Sequence, residues 1–159
     1  MRKVLFLFCF VSIALSSCIQ SGVFEKNMSF SHNKWSKKNK ANFQFHIKDT
    51  SSNYLLYLYL RHTDAYPYSN IWLNVYTTIP EETKPVVTRI EVPLADAEGK
   101  WFARGMNEIR EHKMPLNKNG VVRFTKAGNY TIELEQIMRN DPLPEVMSAG
   151  IIIEKQIKN

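Results

Sequence analysis

Cysteine is almost missing from this sequence: 159 residues contain two, Cys9 and Cys18, and both lie near the N-terminus. The chain beyond Cys18 therefore cannot build a disulfide, a thiolate metal site or a cysteine nucleophile. Glycine (6) and proline (7) are too sparse for a collagenous or low-complexity chain. No apolar run reaches the about 20 residues that a membrane-spanning helix needs. The four histidines, His32, His46, His62 and His112, never fall at an i, i+2 or i, i+4 spacing, so a zinc or non-haem iron site is not expected. There is no G-x-S-x-G elbow, S-x-x-K, P-loop or G-x-G-x-x-G turn. Acid pairs such as Glu81-Glu82 and Asp96 with Glu98 sit in polar, turn-like stretches, where loop solvation accounts for them. The sequence asks for no enzyme, no cofactor and no metal.

Hydrophobic residues at 44% and charged residues at 23% describe a globular chain, and the length suits one domain. The formal charge of +6 is spread thinly, which argues against a nucleic-acid partner.

The N-terminus reads as an address. Met1-Arg2-Lys3 is a basic start, Val4 to Leu15 is apolar apart from Ser12, and Leu15-Ser16-Ser17-Cys18 follows. Basic start, short apolar middle and small residues fit a secretory signal. Leu-Ser-Ser-Cys resembles the bacterial lipobox, in which Cys18 is diacylated, the preceding peptide is removed and the new amino group is acylated. Three chains exceed the two signals that stable membrane anchoring requires. The plainer alternative is a secretory signal with an incidental Cys18.

Residues 1–17 are thus assigned to a lipoprotein signal peptide, 18–42 to a lipidated tether with a first strand and basic loop, and 43–159 to a β-sandwich domain. Within the second segment, Ile19-Gln20-Ser21-Gly22 reads as tether. Ser31 to Asn42 carries Lys34, Lys37, Lys38 and Lys40 around Trp35 and reads as a solvated connector, close enough to an anionic leaflet for its lysines to contribute.

Downstream, the dominant period is two. Phe43, Phe45 and Ile47 alternate with Gln44, His46 and Lys48; Asn53 to Leu60, Asn70 to Ile79, Val86 to Val92, Val121 to Phe124, Tyr130 to Met138 and Gly150 to Ile157 continue the series. Seven to eight short strands without long helices predict an all-β, two-layer antiparallel sandwich. Ala95 to Lys113 reads either as one short helix, with Met106, Ile109 and Lys113 on a side, or as an irregular excursion.

The segment from Arg61 to Trp72 joins two strongly hydrophobic strands. Pro67 fixes its own φ and biases Tyr66 towards extended backbone, while Asp64 and Asn70 can bond neighbouring amides. It reads either as a rigid connection folded over one end of the sandwich or as a surface presenting Arg61, Asp64, Tyr66 and Tyr68 to a protein or glycan. Tyr57, Tyr59, Trp72 and Tyr76 are expected to pack between the sheets; exposed, they would form a glycan-stacking surface.

The chain also resembles the gliding-motility lipoprotein H (GldH) family of Bacteroidetes. The resemblance rests on the lipobox at Cys18, Leu60-Arg61 with Tyr66-Pro67-Tyr68-Ser69-Asn70, and Gly99-Lys100-Trp101-Phe102-Ala103-Arg104-Gly105. It continues through Phe124, Gly128-Asn129-Tyr130-Thr131, Gln136 and Met138-Arg139 to Gly150-Ile151-Ile152-Ile153-Glu154-Lys155. It implies a lipid-anchored component of the envelope machinery that drives surface gliding, with other envelope proteins as partners, and it transfers one residue role, lipid attachment at Cys18. Ile19 after Cys18, and the absence of an acidic cluster in Gln20-Ser21-Gly22, lead to the periplasmic face of the outer membrane. A glycan-binding sandwich is the alternative function.

Overall fold

A computed structural model describes residues 22–117 and 119–157. The signal peptide, Cys18 and the tether through Ser21 lie outside the described residues. In chain order the strands are β1 (Gly22–Ser29), β2 (Lys34–Trp35), β3 (Ala41–Ile47), β4 (Tyr54–Thr63), β5 (Asn70–Thr78) and β6 (Val86–Pro93). They continue as β7 (Arg104–Met106), β8 (Ile109–Pro115), β9 (Val121–Val122), β10 (Gly128–Gln136), β11 (Leu143–Pro144) and β12 (Val146–Lys155). The front sheet runs β1-β12-β4-β8-β7 with β9 also on β4, the back sheet runs β3-β10-β5-β6, and β11 pairs β2. Every pairing is antiparallel. The chain is all-β, as its period predicts.

Alternation decides which side chains meet between the layers. Ala41, Phe43, Phe45 and Ile47 of β3, Ile71, Leu73 and Val75 of β5, and Tyr130, Ile132 and Leu134 of β10 turn inward from the back sheet. Leu58, Leu60, Ile151 and Ile153 answer from the front sheet. Burying one such side chain contributes roughly 1.5–3 kcal/mol, so these residues carry the fold. Aromatic contacts extend the core: Phe45 stacks on Tyr130 at 5.8 Å, and Phe124 meets Tyr130 edge-on at 4.8 Å.

Three segments differ from their sequence reading. No helix occupies Ala95 to Lys113; β7 and β8 form a hairpin there, turning at Asn107, whose φ of 58° is a left-handed conformation that asparagine tolerates. The stretch around Trp35 is not a solvated connector. Trp35 is wholly buried, stacked on Phe30 at 4.8 Å, and its Nε1–H donates to the Asn39 carbonyl at 2.9 Å. Its neighbours Lys34 and Lys38 stay at the surface, so the alternation of a two-residue strand hides one core side chain among lysines. Third, Tyr57, Tyr59, Trp72 and Tyr76 do not pack between the sheets, because the leucines and other apolar residues beside them take the inner face. They stand half-buried on the outer faces.

One lateral side of the sandwich is closed and the other open. β1 curls against β3, with Phe24 on Phe45 at 5.4 Å. Across the molecule a largely apolar seam of about 370 Å³ separates β6 from β8, lined by Ile90, Val92, Met114, Pro115 and Leu116 with Glu91 and Asn117 at its rim.

Gly150 in β12 faces Asn27 of β1 in register. A Cβ placed there would collide with the Lys26 carbonyl oxygen and lie 2.7 Å from Asn27 Cβ. Gly150→Ala is therefore expected to push β1 off its neighbour at about 1–3 kcal/mol, as overpacked sites do. Amide hydrogen exchange should show β1 losing protection while β10 keeps it; unchanged β1 protection would contradict the close approach.

Candidate functional site

The Arg61–Trp72 segment folds over one end of the sandwich. Tyr66 is a core residue, 3% exposed, with its hydroxyl donating to the Asn70 carbonyl at 3.0 Å, and burial pushes its ionisation well up. Tyr68 lies half-buried, edge-on to Tyr66 at 5.8 Å. Asp64 holds Arg110 at 2.7 Å. Arg61 Nε is 3.3 Å from a Glu111 carboxylate oxygen, yet it is buried and its N–H finds no hydrogen-bond acceptor among the described residues. Of the four residues, Arg61, Asp64 and Tyr68 retain surface, and Tyr66 serves as the ring beneath them.

Beneath Tyr66 the fold joins two histidines that sequence spacing keeps fifty residues apart. His62 on β4 and His112 on β8 are both essentially inaccessible, and their Nε2 atoms lie 2.8 Å apart. Tyr66 and Trp101 pack against His62 at 4.9 and 4.7 Å. The tautomers follow from the neighbours. His62 Nδ1 lies 2.7 Å from the Thr63 carbonyl, an acceptor only, so the proton sits on Nδ1. Nε2 of neutral His62 must then accept, and His112 Nε2–H donates to it. That leaves the lone pair on His112 Nδ1 buried without a partner. Burial holds both rings below the ordinary range, His112 down to about 4, with the His62 charge adding to its shift. A pair kept neutral in this way is built for packing and hydrogen bonding. Among the described residues no three His, Cys, Asp or Glu side chains converge as a metal site. The signal that finds this pair is antiparallel register: Leu60 opposite His112 and His62 opposite Arg110 put the imidazoles diagonally on one inner face. Reading spacing along the chain alone misses it.

The front sheet's outer face carries an open depression of about 400 Å³, lined by Glu25, Tyr59, Phe102, Arg104, Glu111 and Ile152. Phe102 is half exposed above it. Burial and the adjoining Glu111 carboxylate raise the Tyr59 pKa. The four outward aromatics do not form one platform: Tyr57 and Tyr59 stand on the front face, Trp72 and Tyr76 on the back. Lys113 covers Tyr57 at 4.4 Å, Arg89 covers Trp72 at 4.7 Å and Lys40 covers Tyr76 at 3.6 Å. The back face is further laced by Asn42–Glu133 and Asn74–Glu135 hydrogen bonds and by the Tyr76 hydroxyl donating to Glu135.

Comparison with known proteins places the chain in a family. A family model described as GldH lipoprotein matches residues 22–153. A protein of Christiangramia forsetii named gliding motility lipoprotein GldH homolog is 27% identical over 157 residues, covering 94% of each chain. The gliding motility lipoprotein GldH of Flavobacterium johnsoniae is 27% identical over 152 residues, covering 91% of this chain and 92% of that one. Among solved structures, a carbohydrate-binding module specific for non-crystalline cellulose aligns with a TM-score of 0.47 at 10% identity, over 89% of this chain and 78% of its own. A Tomato Aspermy Virus structure aligns with a TM-score of 0.34 at 10% identity, over 100% of this chain and 97% of its own.

Proposed function

The chain belongs to the GldH lipoprotein family, and from that membership we propose that it is a lipid-anchored, non-catalytic component of the envelope machinery for gliding. Its acyl chains are attached at Cys18, its seat is the periplasmic face of the outer membrane, and it acts by contact with other envelope proteins. The observation that carries this reading is the splice between anchor and body. Gly22, four residues beyond the lipobox cysteine, already stands in β1, and β1 is hydrogen-bonded to the buried β12. So short a tether keeps the sandwich against the membrane, where its loop surfaces meet neighbouring proteins. The buried polar groups fit the same reading, since the imidazole pair is neutral and the two rings are held by each other and by the packing of Tyr66 and Trp101.

Replacing Cys18 with Ala is expected to abolish incorporation of labelled palmitate and to move the protein from the membrane to the soluble fraction. Retained label would overturn the anchor. Proteinase added to intact cells should spare the protein, and rapid digestion would put it on the outer surface. Crosslinking in native envelopes should recover other envelope proteins.

A second reading follows from the front-face depression, where Tyr59 and Phe102 are flanked by Glu25, Glu111 and Arg104. Aromatic rings beside carboxylates and a guanidinium suit a sugar ring. Binding to a polysaccharide array that is lost in Tyr59→Ala and Phe102→Ala, with no envelope protein recovered by crosslinking, would favour this reading over the first.

A further inference from the structure

The open side of the sandwich exposes a strand edge whose own sequence specifies a partner. Among the described residues β6 pairs β5 on one side only. The Leu94 amide donates to the Ser69 carbonyl at 2.7 Å, in the same register as the β5–β6 ladder. Because hydrogen-bonding direction alternates along a strand, Val92, Ile90, Thr88 and Val86 point their backbone groups at β5. Val87, Arg89 and Glu91 then point theirs away from the sheet, and Pro93, which has no N–H, takes the next outward position. The Ile137 amide donating to the Trp72 carbonyl fixes the same phase from the other side of β5. This edge has no lysine and no bulge; its two charges, Arg89 and Glu91, are of opposite sign, and its proline stands at the end of the strand. Val86 and Val87 are 66% and 51% exposed on it.

We propose that β6 pairs with β6 of a second copy of this chain, antiparallel and centred on Ile90, so that the two back sheets join into one. In that register Arg89 lies opposite Glu91 of the other copy and Glu91 opposite its Arg89, on the same outer face. Arg89 is already held over Trp72, and Glu91 already accepts from Asn70, so both charges are oriented before they meet. The pairs Arg89–Glu91 are the hydrogen-bonded ones. The two Val87 amides reach the two Pro93 carbonyls, so the missing Pro93 N–H falls where the ladder ends. On the inner face Ile90 meets Ile90 and Val92 meets Thr88, closing the apolar seam beside Met114. The two-fold axis stands perpendicular to the joined sheet. Both front sheets, and both Gly22 positions, therefore lie on one side of it, and one membrane can hold both anchors. Anchoring in a shared membrane raises the effective concentration enough for a one-strand interface, but the register is set by β6 alone.

The chain after Cys18 has no cysteine, which makes disulfide trapping clean. Ile90 forms a non-hydrogen-bonded pair on the axis, with Cα atoms about 4.5 Å apart, inside the range a disulfide accepts. Mild oxidation of envelopes carrying full-length Ile90→Cys should give a covalent homodimer, whereas Val86→Cys, more exposed but off the axis, should not. Arg89→Glu introduced beside Ile90→Cys should cut the dimer yield roughly tenfold, since opposed like charges replace two attractive pairs. Adding Glu91→Arg to that variant should restore it. The unsubstituted chain extracted in mild detergent should show a dimeric mass by light scattering. A monomeric mass at every concentration overturns the proposal. So does an Ile90→Cys thiol that stays free, equal trapping at Val86→Cys, or capture of a different protein by the Ile90→Cys variant.

Discussion

Trp35→Ala is expected to remove about 3–5 kcal/mol of folding stability, lowering the thermal midpoint by roughly 10–20 °C. The indole is wholly buried against Phe30 and lies on a two-residue strand paired with Leu143. Truncation opens a cavity the size of the indole in a region held by little regular structure. It also strips the Asn39 carbonyl of its donor. The Trp35 carbonyl accepts from the Gln136 side chain at 3.2 Å, and Gln136 accepts from the Met138 amide, so displacement of the backbone here reaches the end of β10. Trp35→Phe keeps the ring stack and loses the N–H, and should forfeit about 1–2 kcal/mol. Urea titration followed by far-ultraviolet circular dichroism would measure both. A loss below about 1 kcal/mol for Trp35→Ala would mean that the indole is dispensable to the core.

Mild acid is expected to destabilise the chain through its imidazole pair. Both folded-state pKa values are depressed by burial, His112 from 6.5 to about 4. A depressed histidine means that the unfolded chain binds more protons, so stability is complete above pH 6.5 and declines as pH falls towards 4. Across that window His112 alone accounts for a loss on the order of 2–3 kcal/mol. His62 adds in the same direction, with Asp64 softening its shift and Arg110 deepening it. Glu135 acts later. Burial opposes its ionisation, but hydrogen bonds from Tyr76 and Asn74 hold its pKa below 4.5, so its loss comes at lower pH. His112→Gln keeps an N–H for His62 Nε2 and removes the titrating ring. Urea midpoints between pH 7.5 and 4.5 should slope steeply in the parent chain and flatten in that variant. Equal slopes would show that the pair does not govern acid sensitivity.

The fold was legible wherever one face of a strand is apolar. Phe43, Phe45 and Ile47, or Ile71, Leu73 and Val75, announce their inner face by alternation. Legibility failed where the determining contact is distant in sequence. Trp35 reads as a lone aromatic among lysines because, Phe30 and the Asn39 carbonyl apart, its partners are supplied by β10 and β11. Tyr57 and Tyr59 read either as covered or as an outer face, because alternation sets them opposite Leu58 and Leu60 but does not say whether a second layer covers them. The hairpin at Asn107 was hidden by Met106, Ile109 and Lys113, whose spacing also fits a helical face. The histidine pair depends wholly on cross-strand register. The end segment from Arg61 to Trp72 was legible as a rigid connection, since Pro67 and the flanking polar residues fix its backbone, while the burial of Tyr66 needed the second sheet.

The antiparallel register of β1 against β12 has a mechanical meaning. Seven register pairs tie β1 to β12 from Gly22 to Ser29. Inter-strand bonds lie perpendicular to the strands. Traction along β1 from its N-terminal end therefore shears every one of those bonds at once, rather than unzipping them in turn. A protein tugged by its tether while its body is held would resist as a clamp, and the glycine at position 150 is what lets the two jaws close.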